Sequence, residues 1–325
     1  MEFCVYTSDL ESTLRLARAG ATAFIIDSPL YSIRAISGPQ TAADLQRLVE
    51  AIRSELPSDT PVYLQWDAMC HDMDFASQAI SEIRELAING IRVQDYGLAQ
   101  KIRNELPGMP IHFVAETGNM NLSGLKRLET LGIQRLLLSN ELPYPDLVKI
   151  KQAINTELEL QVQGPILIQY AYRRFLADLL DSKESIYSLA EDEDLPGRQF
   201  QFLDQAHGHL MFAHFDRCLI MQIPALSDLA LSSWLIDTHF YSLAAAEQIL
   251  HSYSHAAHAY LEDPEQADSA MDVKMRFTEL TGRPQKPGFF IANHSDQDWR
   301  DEDSEHKDRV LAKVIDAKKA EYAIL

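Results

Sequence analysis

Apolar positions in the first 165 residues repeat one phrase: an amphipathic helix, a glycine, then a short apolar run ending on a polar residue. LARAGATAFIID (16–27), LAINGIRVQD (86–95) and LETLGIQRLLLS (128–139) each spell it out. Gly20, Gly90 and Gly132 fall where a helix C-cap calls for a left-handed residue. Between them, DLQRLVEAIRSEL (44–56) and FASQAISEIRELAI (75–88) keep the 3.6-residue period of a helix with one buried face. Strands are expected near 2–6, 22–26, 62–66, 91–95, 111–115, 134–138 and 157–162. Strands that alternate with helices imply a mainly parallel sheet, because a parallel crossover needs an intervening helix. No GxGxxG turn follows any of them, which favours a barrel over a dinucleotide-binding sheet. The expected fold class is α/β: a TIM-like (β/α) barrel with an irregular C-terminal extension.

After residue 165 the rhythm loosens. QGPILIQYAYRRFLADLL (163–180) leaves the seventh strand through Gly164 and Pro165 and carries Tyr170, Tyr172, Arg173 and Arg174. An acidic loop, AEDEDLPG (190–197), precedes three further expected strands, RQFQFLD, HLMFAHF and CLIMQI. The last strand, WLIDTHF (234–240), feeds a long helix over 243–262. Residues 1–262 form the expected barrel domain. Residues 263–325 form a polar tail with an acidic run (296–308) and a terminal helix expected over 307–324.

In such barrels the chemistry sits at the C-terminal ends of the strands. Those ends present Asp27, Asp67, Asp95, Glu116, Ser139 with Glu141, Gln163 and Asp237. A ring of carboxylates can hold a polar substrate or perturb its own members' pKa values. Helix N-caps also favour Asp and Ser, so capping accounts for part of the ring. Asp95, Glu141 and Asp237 are the candidate catalytic residues. Asp67, Glu116, Gln163, Tyr170, Arg173 and Arg174 are the candidate binding residues. The paired arginines suit a bidentate clamp for a small anionic ligand. Equally, they could pair with Asp178, Asp181 or the 191–194 acids.

The formal net charge of −19 argues against direct nucleic-acid binding by this chain alone and against anionic membranes. No apolar run approaches the roughly 18 residues of a membrane span. Three scattered cysteines, Cys4, Cys70 and Cys218, with no CxxC spacing suit a reducing cytoplasm and form no metal or redox motif. Neither a metal nor another cofactor is expected. His251, His255 and His258 share one helix face, but no HExxH accompanies them. Cys70 has His71 as a chain neighbour, and neighbours at a helix start rarely face each other. GxSxG is absent.

Over residues 5–262 the chain resembles the peptidase U32 family, a collagenase-like group. Its better understood members perform oxygen-independent hydroxylations. SDLESTLRLARAGATAFIID, PVYLQWDAMCHDMDF, the QDYG element with Asp95 and Gly97, and LSNEL with Glu141 carry the resemblance. ELELQVQGPILIQYAYRRFL falls on the family signature, and RPQKPGFF resembles its closing segment loosely. Cluster-bearing members place two cysteines in that signature. Here Leu167 and Arg174 stand at those positions, and only Cys218 follows. An iron–sulfur cluster needs about four ligands, usually thiolates, so the resemblance carries no cluster onto this chain. In WLIDTHF the family's basic residue is Leu235, while Asp237 is retained. The resemblance implies a non-redox subunit beside a cluster-bearing U32 paralogue, supporting hydroxylation of tRNA wobble uridine or of a quinone precursor. A U32-type peptidase, or an inactive barrel used as a scaffold, are the alternatives.

Overall fold

The computed structural model describes residues 1–291 apart from 117, 119–120, 182–183 and 263–269, with the backbone of 316–318 and 322–324. Eight parallel strands close into a barrel. They are β1 (Glu2–Thr7), β2 (Ala23–Ile26), β3 (Val62–Trp66), β4 (Gly90–Val93), β5 (Ile111–Val114), β6 (Arg135–Leu137), the first part of β7 (Glu157–Ala171), and β11 (Ser233–Ile236). β11 pairs with β1 on one side and β7 on the other, which completes the ring. Helices α1 (Leu10–Ala19), α2 (Ala42–Glu55), α3 (Met73–Ile83), α4 (Tyr96–Glu105), α5 (Leu122–Thr130) and α6 (Tyr144–Ala153) link β1 through β7. The chain is a TIM-like barrel, as the helix–glycine–strand phrase requires.

The period-2 alternation of the strands sorts their side chains into two populations. Phe24, Ile26, Leu64, Trp66, Val93, Phe113 and Trp234 face outward into the layer beneath the helices. Cys4, Tyr6, Ile25, Tyr63, Val114 and Leu137 form a separate cluster within the ring. That inner space is also charged. Arg92 donates to both oxygens of Glu159 at 2.8 and 3.0 Å and, through Nε, to Gln65 at 2.9 Å. At the N-terminal end Arg135 bonds Glu2 and Glu157. Removing one partner of such a buried pair costs about 3–5 kcal/mol, because the other charge is left uncompensated.

β7 does not stop at the barrel. It runs on as the first strand of an antiparallel appendage with β10 (Gly208–Cys218), β9 (Gln199–Gln205) and β8 (Ile186–Glu191). α7 (Phe175–Leu180) joins β7 to β8. This sheet folds over the barrel mouth. Gln205 donates to the carbonyl of Ser32 at 3.1 Å, and His207 Nε2 lies 2.8 Å from the carbonyl of Pro29. Ile33, Ala68, Leu167, Leu203, Leu210 and Phe212 form the apolar seam between them.

Several expectations need correction. Gly90 is not a helix cap but the first residue of β4, where a Cβ would sit 3.0 Å from the carbonyl of Pro110. CLIMQI is no strand: after Cys218 the chain turns through a 3-10 segment (Ile220–Gln222) into α8 (Ile223–Leu229). Pro224 in the first turn of α8 favours that start. The expected acidic loop begins inside β8. Beyond α9 (Leu243–Glu262), α10 (Ala270–Thr281) and β12 (Gln285–Lys286) pack back onto the molecule, burying Phe277 and Phe290. The acidic run 296–308 lies outside the described residues. So does most of the expected terminal helix, and within it Asp316–Lys318 and Tyr322–Ile324 pair as antiparallel strands.

Gly164 marks the exit of β7 from the barrel. Its φ is +120°, and a Cβ there would lie 2.3 Å from the carbonyl oxygen of Asp237. Gly197 also has positive φ, but nothing lies within 4 Å of its missing Cβ. Gly164→Ala should therefore cost about 3 kcal/mol or more and lower Tm by roughly 6 °C or more. Gly197→Ala should cost only about 1–2 kcal/mol. Equal thermal shifts for the two variants would contradict this account of the exit.

Candidate functional site at the barrel mouth

At the C-terminal ends of β2, β3, β5 and β11 the chain brings Asp27, Asp67, Glu116 and Asp237 into the same buried region as two cations, Arg34 and His239. Arg34 enters on the loop between β2 and α2. The apolar seam and the bond from the backbone N–H of Ile33 to Asp67 Oδ1 (2.9 Å) hold that loop down. Its guanidinium donates through Nη2 to Glu116, and its Nη1 lies 3.9 Å from Asp67 Oδ2. The same Asp67 oxygen accepts from Gln65 at 2.9 Å, so the mouth is continuous with the Arg92–Glu159 pair deeper in the barrel. Burial pushes the Glu116 carboxyl up, against the pull of Arg34.

His239 sits between two carboxylates. Nδ1 is 2.6 Å from Asp237 Oδ1, and Nε2 is 2.8 Å from Asp27 Oδ2. With both carboxylates ionised, each ring nitrogen donates, and the ring is an imidazolium. Burial alone would lower its pKa, but the charge and bond of Asp237, aided by Asp27, raise it to about 10. Reciprocally, His239 holds the Asp237 carboxyl below its ordinary value despite burial. The ring packs on Tyr6, with centroids 4.5 Å apart. Phe240 follows with φ +66°, a conformation that costs a bulky residue of order 1–3 kcal/mol. Its ring stacks on Tyr187 of β8 and meets Phe212 of β10 edge-on, which ties His239 to the appendage.

A cavity of about 280 Å³ opens beside this cluster, lined in part by Tyr6, Ser8, Asp27, Ser37, Thr238 and His239. Four buried atoms at the mouth have no hydrogen-bond partner among the described residues: Tyr6 OH, Asp27 Oδ1, Asp237 Oδ2 and Arg34 Nε. A buried polar group without a partner costs about 1–3 kcal/mol, which makes this end of the barrel the candidate binding site.

Of the expected residues, Asp67, Glu116 and Asp237 converge here. Gln163 lies behind them: its carbonyl accepts from the backbone N–H of Asp237 at 2.9 Å, and its amide bonds Gln285 and Tyr241. Asp95 instead caps α4, accepting from the backbone N–H of Leu98 at 2.8 Å. Glu141 is exposed on the β6–α6 loop. Neither joins the cluster. Tyr170 bonds the carbonyl of His207 within the appendage. Arg173 is exposed, and Arg174 pairs with buried Asp204 at 3.4 Å. Asp204 also accepts from the backbone N–H groups of Leu176 and Ala177, so Arg174 helps to fasten α7 to the sheet. Arg34, His239 and Tyr6 were not singled out. The DTH spacing in WLIDTHF and a lone arginine within the apolar stretch YSIRAI were the available signals.

His251 and His255 are exposed, their ring centroids 6.1 Å apart, and His258 bonds the carbonyl of Ser254. Among the described residues no group of three or more His, Cys, Asp or Glu is arranged to hold a metal. No helix among them is long and apolar enough to cross a membrane. Cys4 is buried inside the barrel, Cys70 bonds the carbonyl of Asp72, and Cys218 is buried beside Tyr253, where burial raises its thiol to about 11. Leu167, expected at one signature cysteine position, is part of the apolar seam, and Arg174, expected at the other, is held by Asp204. These residues do not fit an iron–sulfur cluster.

The family model described as peptidase family U32 matches residues 8–300. The chain belongs to peptidase family U32. It is 23% identical to tRNA hydroxylation protein P2 of Bacillus subtilis over 73% of this chain and 79% of that protein. To tRNA hydroxylation protein P1 of the same organism it is 20% identical, over 81% of this chain and 64% of the relative. Among solved structures, a candidate dihydrodipicolinate synthetase from Pseudomonas aeruginosa aligns with a TM-score of 0.50 at 10% identity. That alignment covers 86% of this chain and 83% of the other. This likeness concerns the barrel fold alone.

The imidazolium makes stability depend on pH. Its folded pKa, about 10, lies above the roughly 6.5 of an unfolded histidine. The stabilisation is therefore complete below about pH 6.5 and is lost as pH rises through about 10. The Tm advantage of wild type over His239→Gln should be largest near pH 6 and shrink steadily towards pH 10. A difference that stays constant across that range would show that His239 is not charged in the folded protein.

Proposed function

We propose that this chain serves tRNA hydroxylation as a U32 barrel without a redox cluster, holding a small molecule at its mouth beside a cluster-bearing relative. The observation that carries the reading is the fate of the signature positions. Leu167 and Arg174 are built into the seam and the α7 anchor, while the mouth beneath them keeps an unsatisfied polar cluster. The names of the two Bacillus subtilis relatives favour tRNA over a quinone precursor as the modified substrate. With a net charge of −19, the chain leaves most phosphate contact to its partner. A cytoplasmic location belongs to the same proposal. The peptidase alternative gains nothing from the mouth, because both nitrogens of His239 are taken by carboxylates and cannot activate a hydroxyl or thiol.

Deleting the gene should abolish or sharply reduce hydroxylated wobble uridine in tRNA, read by mass spectrometry of digested nucleosides. Wild type should restore it and Asp237→Asn should not. The purified chain should carry substoichiometric iron, and iron should appear when a cluster-bearing U32 relative is co-purified with it. Unchanged tRNA in the deletion strain, or a full cluster spectrum from this chain alone, contradicts the proposal.

A further inference from the structure

The antiparallel appendage ends in an open edge. Among the described residues β8 pairs with β9 alone, in unbroken register from Ile186 opposite Asp204 to Glu191 opposite Gln199. An edge strand leaves a row of backbone N–H and C=O groups unpaired, and proteins usually blunt it with lysine, proline or a bulge. IYSLAE (186–191) has none of the three. Two of its side chains are large, apolar and exposed, Leu189 at 52% and Tyr187 at 46%. α7, which leads into β8, leaves Leu179 and Leu180 exposed by 79% and 61% at its C-terminal end. Arg174 donates to Asp204 and to the carbonyl of Glu184, so α7 and the start of β8 are fastened to the same sheet. A free edge with exposed apolar side chains on adjoining elements is a template for another strand.

The surroundings select the partner. Over residues 175–197, Asp178, Asp181, Glu184 and the run EDED (191–194) stand against the single base Lys183. Both ends of β8 are therefore acidic, and two copies of this chain joined edge to edge would set those acids against themselves. RNA phosphates and an anionic membrane would meet the same repulsion, whereas a basic protein surface is attracted. In the proposed pair the partner takes the phosphate contacts that this chain, at −19, leaves open, so it is the basic member. We propose that β8 is the docking edge for that partner: an exposed strand of a basic, cluster-bearing U32 relative adds to β8, and its apolar side chains cover Leu179, Leu180, Tyr187 and Leu189. The inference rests on the two-subunit reading and names the surface that joins the subunits. Tyr187 stacks on Phe240 with ring centroids 5.2 Å apart, and Phe240 follows His239, so a partner held on this edge stands beside the mouth.

Binding of the purified full-length chain to a cluster-bearing U32 relative, measured by interferometry at low and high salt, tests the assignment. Wild type should bind, and more weakly at high salt. Leu189→Lys and Leu179→Lys each set a like charge against the basic strand and should weaken binding roughly tenfold or more. Met275→Lys, at a comparably exposed apolar position on α10, should leave it unchanged. Hydrogen exchange should find the β8 amides fast in the free chain and slow in the complex. Unaltered binding by both lysine variants of the edge, an equal loss in Met275→Lys, or no new protection in β8 overturns the docking assignment and leaves the two-subunit reading standing. Failure of wild type to bind overturns both. A wild-type homodimer that is lost in Leu189→Lys puts a second copy on this edge and overturns the assignment as well.

Discussion

Charge taken into the interior of a barrel must be met by opposite charge at close range, since desolvating an ion costs several kcal/mol. That constraint organises the interior of the barrel. Arg135 meets Glu2 and Glu157 at the N-terminal end, Arg92 meets Glu159 at mid-depth, and Arg34 meets Glu116 at the mouth. His239, between Asp27 and Asp237, closes the series. Gln65 and Asp67 connect the middle level to the mouth, so the position of the Arg34 loop depends on pairing far below it. The clamp on His239 joins residues at the ends of β2 and β11, strands that each pair with β1, and so fixes the geometry of the site where the ring closes.

The antiparallel appendage covers the mouth with a sheet that grows out of the barrel itself. β7 passes Asp237 at Gly164 and continues into the sheet that covers the mouth. Leu167 buries its side chain in one apolar cluster with Ile33, Leu210 and Phe212, which stabilises the cap through apolar contact. Arg174 joins Asp204, which already accepts from the first turn of α7. The local geometry is thus kept by packing and one ion pair, and Phe240 transmits it to His239.

Much of the barrel was legible because strand and helix periods differ and a glycine punctuates each phrase. LARAGATAFIID resolves into α1, Gly20 and β2 almost residue by residue. Asp67, Glu116 and Asp237 were legible from their places at strand ends. Asp95 and Glu141 looked equivalent in the sequence, since an N-cap acid and a site acid occupy the same position relative to a strand. Only the backbone N–H of Leu98 and the exposure of Glu141 separate them. Arg34 was not legible because its partner Glu116 lies 82 residues away, and the DTH spacing of His239 showed nearby Asp237 but not Asp27, 212 residues away. CLIMQI misled because a short apolar run carries no period that distinguishes strand from helix.

The central claim is that a histidine charged at neutral pH, held between two buried carboxylates, anchors the mouth of the barrel. Nitrogen-15 NMR of the histidine side chains in the folded protein at about pH 8 tests it most directly. The account predicts that both ring nitrogens of His239 are protonated at that pH and titrate only near 10. A neutral His239 ring at pH 8, titrating near the ordinary value of about 6.5, would contradict it.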